Sequence, residues 1–164
     1  ITDNCEWAEL FGNPEIKNRG IGGDDTDGIL ERLSEVTSSQ PSKIFLMIGT
    51  NDLAYGKDVA YVLENYRKIL EQIGNDTPDT KIYIQSVLPV EDAIHYTRPN
   101  ASIVEINEGL VDLAEEFDCT YIDLFDLFVG EDGKLNLDYS LDGLHLNGAG
   151  YEVWKEEIQQ YVSE

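Results

Sequence analysis

The sequence predicts an α/β fold built on a mostly parallel sheet. Lys43 to Ile48 (KIFLMI) is a continuous apolar run, the pattern of a strand buried on both faces. Such runs alternate along the chain with longer stretches whose apolar residues recur at helical spacing, which is the βαβ order of a parallel sheet. Clusters of Gly, Asn and Asp follow several of the strand-like runs. In sheets of this kind ligands sit beyond the carboxyl ends of the strands, so those clusters are where chemistry is expected.

Each element follows from local pattern. Cys5 to Phe11 is a short amphipathic piece with Asp3 or Asn4 as a candidate N-cap, and Gly12-Asn13-Pro14 ends it. Ile16 to Ile21 reads as a short strand running into Gly22-Gly23-Asp24-Asp25-Thr26. Ile29, Leu30, Leu33 and Val36 mark a helix that Ser38-Ser39-Gln40-Pro41 stops. After the Lys43–Ile48 strand comes Gly49-Thr50-Asn51-Asp52, then a long helix striped by Val59, Val62, Leu63, Tyr66, Ile69, Leu70 and Ile73 and closed by Gly74-Asn75. Lys81 to Leu88 is the next strand. A loop from Val90 to about Asn100 follows, holding His95, Tyr96 and Arg98. Ile103 to Phe117 gives a helix, Thr120 to Leu124 a strand, and Tyr151, Trp154, Ile158 and Tyr161 stripe a last helix with Asn147 as its N-cap.

Composition narrows the function. The 164 residues suit a single domain with a real core, and 41% apolar residues spread along the chain argue against disorder. The net charge of −22 argues against nucleic acid and anionic membrane surfaces as partners, because both need basic contacts. That charge reads as a solvated acidic surface. No apolar run approaches the roughly 20 residues of a membrane span and no signal peptide is visible, so the compartment stays open. Cys5 and Cys119 have no metal-ligand spacing and read as free, partly buried thiols.

The most specific signal is Asp142-Gly143-Leu144-His145-Leu146-Asn147. An Asp three residues before a His, on a Gly-containing turn, can hold one ring nitrogen, fix the tautomer and leave the other nitrogen free to take a proton. Asn51 can donate a side-chain N–H, and Gly23 a backbone N–H with no side chain in the way. Together they are candidate oxyanion donors. Asp24 to Gly28 superficially looks like a calcium loop but lacks the alternating ligands and the distal Glu, so no metal is expected there. Ser86 and Ser140 read as structural, and His95 as an exposed loop residue at the border of the site.

Asn18-Arg19-Gly20-Ile21-Gly22-Gly23-Asp24, Gly49-Thr50-Asn51-Asp52 and Asp142-Gly143-Leu144-His145-Leu146-Asn147 resemble, in order and spacing, the second, third and fifth blocks of the SGNH (GDSL-like) hydrolase family. Within it, the chain resembles small esterases related to platelet-activating-factor acetylhydrolase subunits and to carbohydrate or sialate O-acetylesterases. The resemblance implies one three-layer α/β/α domain over residues 1–164, with a flavodoxin-like strand order 2-1-3-4-5. It also implies a serine esterase that needs no cofactor and acts on a small ester, an acetylated carbohydrate foremost. Asp142 and His145 would be catalytic, with Gly23 and Asn51 in the oxyanion hole. The family's first block reads Gly-Asp/Asn-Ser followed by Ile-Thr, and this chain opens on Ile1-Thr2-Asp3 without an initiator Met. The expectation is that the nucleophilic serine immediately precedes Ile1 and that the first strand also lies upstream. The alternative is a non-catalytic carbohydrate-binding or interaction module on the same fold.

Overall fold

A computed structural model describes residues 1–164. Its sheet has three strands, β1 (Lys43–Leu46), β2 (Lys81–Gln85) and β3 (Thr120–Ile122), in the order β1-β2-β3. Both pairings are parallel, with Ile44 opposite Ile82 and Ile84 opposite Tyr121. The helices are α1 (Trp7–Leu10), α2 (Thr26–Thr37), α3 (Thr50–Ala54), α4 (Val59–Asp76), α5 (Asn100–Glu116), α6 (Phe125–Phe128) and α7 (Gly148–Ser163). Parallel neighbours require crossovers, and α3 with α4, and then α5, supply them.

Side chains alternate across the sheet and build a core on each face. Ile82 and Ile84 face α2, α4 and α5, where Leu33, Val62, Tyr66, Ile69, Ile73, Ile103, Ile106 and Leu110 pack. Tyr83 and Phe45 face the other side, where Trp7, Phe128, Tyr151, Trp154 and Ile158 pack. Trp7 meets Trp154 edge-on at 4.9 Å between ring centres, and Trp154 Nε1 donates to Gln85 Oε1 at 2.7 Å, which pins α7 to the end of β2. The architecture is helix, parallel sheet, helix.

Helix starts follow local chemistry. Asp25 caps α2 by accepting from the Gly28 N–H, Asp58 caps α4 by accepting from Tyr61, and Asn147 caps α7 by accepting from Gly150, the last as expected. α4 outlasts its expected end, because Gly74 keeps helical backbone instead of turning left-handed, and the helix closes at Asp76.

Some expectations are corrected. Residues 16–21 form no strand. An extended segment joins a ladder only where a neighbouring strand offers its N–H and C=O groups, and this one lies instead against the start of the chain. There Asn18 Nδ2 donates to the carbonyls of Thr2 and Cys5, and a Cβ on Gly20 would stand 2.6 Å from the backbone nitrogen of Asp3. Neither Asp3 nor Asn4 caps α1, whose N-cap is Glu6 with no side-chain bond; Asp3 accepts from the Gly22 N–H instead, at 3.1 Å. The sheet shows only three neighbours in chain order, so the order 2-1-3-4-5 is not displayed. β1 is mostly half-buried rather than enclosed. Its outer edge pairs with no strand and lines a cavity of about 680 Å³ whose other walls include Leu33 and Val36 of α2 and Trp154 and Ile158 of α7.

The strands also end sooner than the apolar runs do. Beyond β2, the backbone of Val87 and Val90 is buried but bonded to side-chain amides. Asn107 Oδ1 accepts from Val87 N–H while its Nδ2 donates to Val87 C=O, and Asn100 treats Val90 the same way. Ser86 Oγ accepts from Leu124 and Phe125 N–H. Side chains of α5 thereby satisfy an irregular buried segment and launch the loop that follows it.

Candidate active site

The Asp142–His145 turn is built by its own side chains. Asp142 Oδ1 accepts from the N–H groups of Leu144 (3.0 Å) and His145 (2.8 Å). Asp142 Oδ2 lies 2.7 Å from His145 Nδ1. An ionised carboxylate only accepts, so Nδ1 carries the hydrogen and the neutral ring presents Nε2 as a base. Burial raises the Asp142 carboxyl, but the bonds from His145 and Leu144 outweigh it and hold the group well below the usual carboxylate range. Ser140 locks the turn from beneath, accepting from Gly143 N–H and donating to His145 C=O. Gly143 sits at φ +78°, and a Cβ there would be 2.6 Å from Glu91 Cβ, so both conformation and space call for glycine.

Gly23 and Asn51 meet at a second corner. Gly23 has φ +81°, and Tyr55 Oη donates to its carbonyl at 2.8 Å. Asn51 lies in the first turn of α3, where its Nδ2 donates to Asp24 C=O at 2.8 Å and its Oδ1 accepts from Arg98 Nη2 at 3.1 Å. An acceptor on one side and a donor on the other fix which end of the amide is nitrogen. Its second N–H makes no bond within the chain. Below, fully buried Asp52 accepts from the Thr26 N–H and hydroxyl, tying the start of α3 to the start of α2. Burial pushes the Asp52 carboxyl up despite those bonds.

The loop after β2 joins the two corners. Glu91 N–H donates to Gly143 C=O at 2.8 Å, and His95 Nε2 donates to Asp142 C=O at 2.9 Å. Three residues on, Arg98 reaches Asn51. Three residues span at most about 11 Å, so the imidazole turn and the amide corner share one end of the molecule. His95 is thus not a free loop residue. Arg98 carried no motif, and nothing in sequence marked it as a partner of Asn51.

Other sequence candidates resolve structurally. The hydroxyls of Ser86 and Ser140 are engaged by backbone groups. Asp24 pairs with Arg32 at 2.6 Å, Asp25 caps α2, and Asp27 bonds Lys57, Tyr61 and Asn65. No group of three or more His, Cys, Asp or Glu side chains converges as a metal site. Cys5 and Cys119 are free, and burial raises each thiol to about 11. Around the site stand exposed apolar and aromatic side chains: Ile21 and Tyr55 beside the amide corner, Ile94 and Tyr96 flanking His95, and Leu141 next to Asp142.

An imidazole held by a carboxylate, with N–H donors at the same end of a parallel α/β sheet, is the class of site that supports acyl transfer. The GDSL-like Lipase/Acylhydrolase family matches residues 5–153, and the chain belongs to that family. It is 30% identical over 148 residues to platelet-activating factor acetylhydrolase IB subunit alpha2 of Rattus norvegicus, a match covering 88% of this chain and 63% of that relative. The chain therefore spans less than two thirds of that relative's length. A solved structure from Streptococcus pneumonia named for platelet activating factor superposes with a TM-score of 0.88 at 33% identity, over 99% of this chain and 79% of that one. A GDSL-like lipase from Bacteroides thetaiotaomicron superposes with a TM-score of 0.86 at 25% identity, over 99% of this chain and 83% of that one.

Proposed function

We propose that this domain is a serine esterase that removes acetyl or another short acyl group from a carbohydrate or similar alcohol, with a serine immediately before Ile1 as nucleophile. The observation that carries the reading is the 2.7 Å contact of Asp142 with His145, which frees Nε2 as a base. His145 takes the serine proton as the hydroxyl oxygen attacks the ester carbonyl. Asp142 holds the ring and stabilises the imidazolium. The negative charge on the carbonyl oxygen is met by the N–H groups of Gly23, Asn51 and the serine itself. The imidazolium returns its proton to the leaving alcohol. Water, deprotonated by His145, then cleaves the acyl-serine. These steps need no cofactor.

The placement of the nucleophile is supported from two sides. Tyr151 Oη donates to Ile1 C=O at 2.7 Å and the Asp3 carboxylate accepts from Gly22 N–H, so the first residues lie against the glycine turn of the amide corner. The apolar cavity along the outer edge of β1 has the position of a further parallel strand, one that would lead into Ile1. The acetyl preference is supported by the name of the acetylhydrolase relative, and the alcohol class by exposed Tyr55 and Tyr96, whose rings offer flat amphipathic faces to a sugar.

The test uses the protein with the segment that precedes Ile1 and follows release of p-nitrophenol from p-nitrophenyl acetate. His145→Ala and Asn51→Ala should each lower turnover by about 10²-fold or more while thermal unfolding stays that of the parent. Full activity in both variants would sink the assignment. A residue other than Ser before Ile1, together with no ester hydrolysis, would favour the non-catalytic carbohydrate-binding module.

A further inference from the structure

We infer that Arg98 is a positioning residue of the oxyanion site, acting through the amide of Asn51; the inference rests on the esterase reading above. Arg98 Nη2 donates to Asn51 Oδ1 at 3.1 Å, and the nitrogen of that same amide faces Asp24 C=O at 2.8 Å. With both ends engaged, the amide can neither flip nor swing, and its remaining N–H keeps a single direction. A charged donor on the oxygen also draws electron density through the conjugated amide and makes that N–H a better donor.

Arg98 has no carboxylate partner. The chain has 33 acidic residues against 11 basic ones, yet no carboxylate lies within salt-bridge distance of Arg98, and its Nε is buried without a partner. Its one side-chain hydrogen bond, from Nη2, is directed at the amide expected to face developing negative charge. That effect belongs to the transition state, because the ester carbonyl carries little charge before attack.

The experiment measures kcat and KM on p-nitrophenyl acetate for the protein with its preceding segment, as parent, Arg98→Ala, Arg98→Met, Arg98→Lys, Asn51→Ala, Asn51→Ala with Arg98→Ala, and His145→Ala. Arg98→Ala should lower kcat by about 10- to 100-fold with KM within about twofold, and Arg98→Lys should recover most of the loss because it restores a charged donor. Arg98→Met keeps the packing of the stem and serves if the alanine variant fails to fold. In the Asn51→Ala background, removing Arg98 should cost no further activity, a non-additivity that a merely structural role does not produce. Arg98 variants with parental kcat beside an inactive His145→Ala would overturn this inference alone, as would an Arg98 effect undiminished without Asn51. A parent inactive on the ester would overturn the esterase reading and this inference with it.

Discussion

At the residue scale the decisive contact is Asp142 Oδ2 to His145 Nδ1. Asp142→Asn would place an NH2 against Nδ1 and favour the opposite tautomer, with the hydrogen on Nε2 and no base for the proposed nucleophile. Turnover should fall by up to about 10⁴-fold, the size of the same change in a Ser-His-Asp protease, while circular dichroism is unchanged. The Asp142 carboxyl is held below its unfolded value, so any stability it adds is present above about pH 4 and is lost only as pH falls through its low folded value. Its side chain is about half exposed, so that contribution is small next to its effect on turnover. Gly23, Asn51, Asp142 and His145 stood out as candidates in sequence because each proposed role demands a residue type at a short, fixed offset. Arg98 and His95 were not, because their partners lie 47 residues away in each case.

At the scale of elements, the candidate site is carried by loops and by the first turn of α3, and buried polar side chains set those loops. Gly143→Ala would meet Glu91 at a backbone position of positive φ. It should destabilise by roughly 2–3 kcal/mol, lowering the unfolding midpoint by about 5–10 °C, and should tilt the imidazole enough to reduce turnover beyond the stability loss. Asn107→Ala would leave the buried N–H and C=O of Val87 unpaired. The cost should be about 2–4 kcal/mol, read from urea unfolding. Helix existence was legible from the apolar stripes, as with α4 and α7. The ends of β2 and β3 were not, because apolar residues continue past the last ladder bond and only Asn107, Asn100 and Ser86, reaching from elsewhere, decide where pairing stops.

At the scale of the whole molecule, a net charge of −22 acts on the compact state as self-repulsion. Raising NaCl from about 10 to 150 mM shortens the screening length from about 30 to 8 Å and should raise the unfolding midpoint at neutral pH. A midpoint that falls or stays level would mean that specific ion pairs such as Arg32–Asp24 outweigh the repulsion.

Sequence by itself determined the layered α/β class, the helices on each face, the family and the turn that aims His145, because these rest on periodicity and on side chains bonding within a few residues. Tertiary structure alone decided that residues 16–21 lie against the start of the chain, that Asn107 and Asn100 bond the buried backbone beyond β2, and that Arg98 holds Asn51. Those outcomes depend on which backbone or side chain stands opposite, and the identity of a partner distant in sequence is written in no local pattern.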